Sequence, residues 1–449
     1  MPRQLSFEYV LTNAGLERGR RITVDAQGRI ASIETVSAGS WDAAFVIPGM
    51  PNAHSHAFQR ALTGVRETAA TDSFWSWRDT MYRIANSLDA DDLYVVALRA
   101  FGDMLRAGFT SVAEFHYLHR DLNGAPTAEM ALAIRAAARD AGIRLTLLPV
   151  LYQQGGFNRP PAAAQRRFVH RSLDEFARLL EQLAGEPCGV APHSLRAVPL
   201  EVLPDLVALA DDLLGPRSPI HIHVSEQRQE VIDSCERYGL PPIECLARTI
   251  RLDERWNLVH ATHAEPQELD LIISHGPTLV LCPLTEAYLG DGLFPLARFA
   301  ARGGVFAIGS DSNARIDAIE ELRLAEYGQR LHEGRRGLLA RDEGLGSTLW
   351  NQAANAGARA LGQSVGTFEV GAFADLVALD LDDPLFAGVS AQQVLDAWII
   401  GGSAAQIAAV YVGGERRVER GEVALPEAAQ RFAAVMRKLH SDGTSLREA

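Results

Sequence analysis

Residues 48–56 read PGMPNAHSH, a turn followed by a short segment that ends on two histidines two positions apart. Side chains at i and i+2 of a strand leave the same face, so the imidazoles of His54 and His56 project together. Working outward, the same unit recurs: a short apolar run, a polar or chelating residue at its end, then a helical pattern. The further runs are TSVAEF at 110–115, LTLLPVLY at 145–152, CGVAPH at 188–193, IHIHV at 220–224, NLVHA at 257–261, TLVLC at 278–282 and VFAIG at 305–309. Helical stretches such as DDLYVVALRAFGDMLRAG and AEMALAIRAAARDAG separate them, the second closing on a glycine suited to a left-handed cap. Eight strands alternating with helices predict an α/β fold, a (β/α)8 TIM-type barrel. An open doubly wound sheet is disfavoured, because no GxGxxG follows the first strand.

Both chain ends have a different texture. Residues 1–48 hold FEYVLTN, RRITVDAQGRIASIETV and AAFVIPGM, with DAQGRI as a hairpin turn between alternating segments. ADLVALDLD and AAVYVGGERRVERGEV repeat the style near the C-terminus. A small β-sandwich domain is expected from residues 1–48 and 365–449, around a barrel spanning 49–364. A helix from about Pro426 to His440 should pack on the outside.

Composition narrows the function classes. A chain of 449 residues, 47% hydrophobic and 22% charged, fits one large soluble barrel with an accessory domain. No apolar run is long enough for a membrane span, and MPRQLSFEYV has no apolar signal region. Four cysteines without CxxC spacing read as reduced thiols, so a cytoplasmic location is expected. The net charge of −13 and the lack of a basic stretch exclude nucleic acid as a partner. An anionic small substrate remains compatible, since screening over about 8–10 Å leaves a local arginine pair in control of its own pocket.

Position sharpens residue type. His54, His56, Glu114, His116, Tyr117, His193, His223, His260 and Asp311 all fall at or just past the C-terminal ends of the strands, the catalytic rim of this fold. An HxH pair is either a metal-binding pair or two hydrogen-bonded barrel histidines, and the other rim residues favour metal. His223 with a carboxylate would complete the coordination and leave room for water. Asp311, in GSDS after the eighth strand, is either that carboxylate or a helix N-cap. His260 is either a further ligand or a group that polarises the water. Glu226, three residues past His223, either shuttles a proton or opens the next helix as a surface carboxylate. His221 reads as barrel filling and His263 as a bystander.

Together the motifs PGMPNAHSH, HVSEQ, LVHATH, CPLTEAYLGDG, GSDS, ANAGARALG and GTFEVGAFADLVALD resemble the amidohydrolase superfamily, in its mononuclear-metal aminohydrolase branch. The resemblance spans essentially the whole chain. It implies one divalent metal ion, Zn²⁺ or Fe²⁺, held by His54, His56, His223 and Asp311, with Glu226, His260 and Asp311 as the catalytic proton-transfer groups. No lysine follows the third or fourth strand to bridge a second metal.

Many deaminases of this branch carry SNxxLGxG after the seventh strand, where this chain has TEAYLGDG at 285–292. The missing asparagine counts against a purine, pyrimidine or triazine substrate. That variant, with FWSWRDTMYR after the first strand and APHSLR at the fourth, is similar to a subgroup acting on formimidoyl amino acids. It implies hydrolysis of the linear amidine N-formimidoyl-L-glutamate to N-formyl-L-glutamate and ammonia, a step of histidine degradation. Gln59, Arg78, Tyr117, His193 and Arg196 are then the substrate-binding residues, and a homodimer is expected. Arginine offers planar, bidentate geometry to the carboxylates of such a substrate. For Arg78 or Arg196 alone a surface salt bridge is the competing reading. The aromatic cluster Phe74–Trp77 is either a lid or loop packing. Another aminohydrolase acting on a nucleobase or guanidino compound is the alternative, and a non-catalytic scaffold is a third reading that retention of all four ligands opposes.

Overall fold

A computed structural model describes residues 3–37, 39–64, 74–425 and 427–440. Its centre is a ring of parallel strands: Met50–Ser55, Phe109–His116, Arg144–Leu151, Ala191–Pro192, Ile220–Val224, Trp256–His260, Thr278–Leu281 and Phe306–Ile308. They pair in chain order as two four-stranded sheets, the first four strands in one and the last four in the other. Single bridges join the halves. Val190 and Ser194 pair with Ile220 and His223 on one side, and Ser55 pairs with Asp311 on the other. The α/β barrel expected from the alternation is present. The CGVAPH run forms regular strand only at Ala191–Pro192, with Cys188 and Val190 reduced to isolated bridges.

Buried apolar residues fill the layers between strands and helices. Phe115, Leu147, Ile222, Leu258 and Val280 are fully buried, each contributing roughly 1.5–3 kcal/mol relative to exposure. The last strand lies hard against the first. A Cβ at Gly309 would stand 2.7 Å from the His54 carbonyl oxygen, so only glycine permits that approach. Helix Leu345–Leu361 packs across the barrel floor, where Trp350 Nε1 donates to the Pro48 carbonyl at 2.9 Å. Its Ala360 carbonyl lies 2.8 Å from His221 Nε2, which gives His221 the filling role expected of it.

The chain ends form one eight-stranded sheet. Ala43–Pro48 pairs antiparallel with Leu376–Leu379, joining the N-terminal strands to the C-terminal ones. The DAQGRI turn is tied by the Asp25 carboxylate, which accepts from the backbone N–H of Gln27 and Arg29 at 2.9 and 2.8 Å. The terminal helix Ala428–Leu439 packs against helix Ala90–Arg106. The FWSWRDTMYR stretch departs from the expected loop: helix Phe74–Ala85 carries Arg78. The side chains of Phe74 and Trp75 lie outside the described residues. No helix among the described residues is long and apolar enough to cross a membrane.

Candidate metal centre

Strand alternation puts His54 and His56 on one face and turns Ser55 away, where its hydroxyl accepts from Asn313 Nδ2 at 3.0 Å. The Nε2 atoms of His54 and His56 are 3.2 Å apart, and His223 Nε2 is 3.1 Å from that of His54. Asp311 Oδ1 lies 3.4 Å from His54 Nε2 and 3.3 Å from His56 Nε2. One ligand atom from each of these four buried residues falls within 4.8 Å of all the others.

The chemistry of this donor set fits a cation. His56 Nδ1 faces the Phe115 carbonyl at 2.9 Å and His223 Nδ1 faces the His193 carbonyl at 3.0 Å. Carbonyls only accept, so both Nδ1 atoms carry the proton and both Nε2 atoms offer lone pairs to the centre. Burial pushes His54 down to about 3, and holds His56 and His223 below the usual imidazole range. All three are therefore neutral at pH 7. Burial opposes the charge of Asp311, yet the hydrogen bond with His54 and the neighbouring imidazoles hold its carboxyl well below the usual range, ionised. The His56 and His223 lone pairs, the His54 imidazole and the Asp311 carboxylate crowd about a gap that a divalent ion satisfies.

Backbone strain aims the outer residues. His260, Asp311 and Ser225 have φ of +69°, +45° and +51°, a region that costs a non-glycine residue about 1–3 kcal/mol. These turns end the strands abruptly and direct side chains into the barrel mouth. His260 Nε2 stands 3.8 Å from Asp311 Oδ2, outside the tight group of four, and His260 Nδ1 pairs with Glu286 Oε1 at 3.2 Å. Burial alone would lower His260. Its hydrogen bond to Glu286 and the charges of Glu226, Asp311 and Glu286 outweigh burial and push it up to about 10. A cation beside Asp311 acts against that protonation.

One cavity gathers the remaining expected residues. Gln59, Arg78, Tyr117, His193, Arg196 and Glu226 line it together with His56, His223, His260 and Asp311. Gln59 Nε2 donates to the Tyr117 hydroxyl at 2.8 Å. Arg196 Nη2 donates to Glu226 Oε2 at 2.7 Å, so two residues expected to act separately form an ion pair. Two rim residues turn away. His116 Nε2 contacts the Leu118 carbonyl, and Glu114 Oε1 accepts from the Ala57 N–H at 2.6 Å. Burial pushes Glu114 up to about 8.

The structure adds residues that the motifs did not single out. Glu286, in the first turn of helix Pro283–Leu289, accepts from the Cys282 N–H as well as meeting His260. Its place one turn into a Pro-opened helix was legible, but that signal describes a helix start rather than a histidine partner. Tyr152 and Arg159 line the cavity from the segment after the third strand, where no motif marks them.

Residues 45–417 match the Amidohydrolase family. The chain belongs to the amidohydrolase family. It is thus a hydrolase acting on carbon–nitrogen bonds. It is 43% identical to formimidoylglutamate deiminase of Pseudomonas aeruginosa, over 96% of this chain and 98% of that one. A 5-methylthioadenosine/S-adenosylhomocysteine deaminase of Haloarcula marismortui is 28% identical, over 82% of this chain and 79% of the relative. The crystal structure of an amidohydrolase from Brucella melitensis superposes with a TM-score of 0.90 at 42% identity, covering 97% of this chain and 99% of that one.

Proposed function

We propose that this amidohydrolase family member deaminates N-formimidoyl-L-glutamate hydrolytically, giving N-formyl-L-glutamate and ammonia. The observation that carries the reading is the 43% identity to a formimidoylglutamate deiminase along nearly the full length of both chains. The meeting of a metal-ligand group and arginine side chains in one cavity supports it. The purine-nucleoside deaminase relative is only 28% identical, and Glu286 replaces the asparagine of the SNxxLGxG pattern.

His54, His56, His223 and Asp311 would hold a single divalent ion, Zn²⁺ or Fe²⁺. When bound, such an ion supplies Lewis-acid polarisation and a water of lowered pKa. Arg78 and Arg196 bind the substrate carboxylates, with Gln59, Tyr117 and His193 completing a polar pocket. The formimidoyl carbon would then lie toward His54, His56, His223 and Asp311. Asp311 Oδ2 and His260 Nε2 face each other at 3.8 Å, where they take and hold the proton of the attacking water. Glu226 then carries protons to the nitrogen that leaves as ammonia. Atoms balance: the amidine C–N bond is exchanged for C=O, and the water protons depart on nitrogen.

The test is product analysis with metal-loaded protein. Ammonia and N-formylglutamate are expected from formimidoylglutamate. Formamide and glutamate, or no turnover at full metal occupancy, would overturn the assignment.

A further inference from the structure

The carboxylate given the proton-carrying role is already engaged. Glu226 Oε2 accepts from Arg196 Nη2 at 2.7 Å, and both side chains line the cavity. On the other edge of the same guanidinium, Arg196 Nε makes no hydrogen bond among the described residues, and Glu230 Oε2 stands 3.6 Å away. Glu230 is buried and absent from the cavity wall. Its oxygens are fixed by the backbone N–H groups of Ser225 at 3.1 Å and Glu226 at 3.3 Å, across the strained Ser225 turn. One guanidinium therefore lies between a fixed, buried carboxylate and a carboxylate that faces the substrate space.

While Oε2 accepts from Arg196 it is turned toward the guanidinium rather than into the substrate space. Delivery of a proton from that oxygen to the departing nitrogen therefore requires it to swing away from Arg196. Separating a buried ion pair without replacement leaves an unpaired charge, which is strongly unfavourable. Another carboxylate is the natural replacement, and the substrate in the reading above brings two.

We propose that the Arg196–Glu226 pair is a latch opened by the substrate's own carboxylate, which takes the place of Glu226 on Arg196 and frees Glu226 for proton transfer. Glu230 is the positioning residue, holding Arg196 from the Nε side throughout the exchange. Arg196 keeps a carboxylate on each edge, so the guanidinium charge is never left unpaired, and the charge released is that of Glu226 facing the cavity. The freed Glu226 remains in the cavity that His56 and His260 also line. Substrate choice then enters through turnover as well as affinity: a linear amidine without a carboxylate can enter the cavity and still find the latch closed. The inference rests on the functional reading above.

The test uses the metal-loaded full-length protein and N-butylformamidine, a carboxylate-free linear amidine. The expected kcat is at least about tenfold below that for formimidoylglutamate, the rate factor of one charge-assisted hydrogen bond. Added acetate should raise kcat on N-butylformamidine saturably, and should compete with formimidoylglutamate. Arg196→Gln should raise kcat on N-butylformamidine above wild type while raising KM for formimidoylglutamate. Glu230→Gln should move half-activation to higher acetate concentration. Formimidoylglutamate turnover combined with an acetate-independent kcat on N-butylformamidine overturns the latch alone, and the acetate arm needs no variant to fold. Equal losses on both substrates in a folded, metal-loaded Arg196→Gln protein overturn it likewise. Wild-type protein that releases no ammonia from formimidoylglutamate overturns the functional reading and the latch with it.

Discussion

His260 and Glu286 face each other across 3.2 Å, Nδ1 to Oε1, on the side of the ring opposite Asp311. The carboxylate also accepts from the Cys282 N–H at 2.8 Å, so it is held before it meets the imidazole. Such a partner fixes the tautomer and the plane of the ring, leaving Nε2 directed at the reacting centre. Replacing it should disturb turnover more than binding. Glu286→Gln is expected to lower kcat by roughly 10–100-fold with metal content retained. Because Glu286 raises His260, the variant's His260 should titrate at lower pH, and the kcat–pH profile should move with it. An unmoved profile would remove Glu286 from this role.

Metal removal and ligand loss should be equivalent. Chelation is expected to abolish ammonia release and added Zn²⁺ to restore it, whereas His56→Ala should lose bound metal and activity together. Elemental analysis of purified variants checks this, and a His56→Ala protein retaining stoichiometric metal would count against the four-residue group.

Arg78 lines the cavity from helix Phe74–Ala85, so its loss should act on substrate carboxylate binding. Arg78→Ala is expected to raise KM for formimidoylglutamate by roughly 10–100-fold, the range of one hydrogen bond to a charged group. Initial-rate kinetics decide it, since an unchanged KM would leave Arg78 a structural residue.

Gly309→Ala tests the contact between the last and first strands. The added methyl would meet His54 backbone and side chain at 2.7–2.9 Å. Overpacking of this kind costs about 1–3 kcal/mol, and here it also displaces His54, one of the four residues proposed to hold the ion. A lower Tm and weaker metal retention are expected together, and wild-type values for both would show that the strands can separate without penalty.

A second histidine group predicts acid sensitivity. The rings of His116 and His119, and of His119 and His170, are 5.3 and 4.8 Å apart. Burial pushes His116 down to about 3 and His170 down to about 4. The unfolded chain takes up these protons near pH 6.5, before the folded one does. Stability is therefore complete above about pH 6.5 and declines as the pH falls from there toward 4. His170→Phe, which keeps a ring against Phe176, should lose less Tm across that window than wild type. Equal losses would show that His170 is protonated in the folded state.

The barrel was legible because its signal is periodic: each strand is a short apolar run closed by a polar residue, and the helices between carry their own caps. His54, His56, His223 and Asp311 stood out for the same reason, since strand ends in this fold converge on one rim. Pairings that depend on side-chain direction were hidden. The sequence distance between Arg196 and Glu226 does not say that they meet, nor that Glu230 stands behind them. Glu286 was read as part of a loop pattern and proved to be the partner of His260. The FWSWRDTMYR helix was also missed, because its tryptophans and central aspartate give no clear apolar stripe.

The ring closes at one place through a single bridge, Ser55 to Asp311, and that seam lies inside the group of residues proposed to hold the ion. Of these four residues, His54 stands on the first four-stranded sheet and His56 just after it, while His223 stands on the second and Asp311 just after it. Neither half-barrel, expressed or inherited alone, possesses a centre. An ion held there acts as a clasp on the finished ring. Metal retention thus reports barrel closure itself, and a split or circularly permuted version of this chain can be scored for correct assembly by its bound metal before any substrate is added.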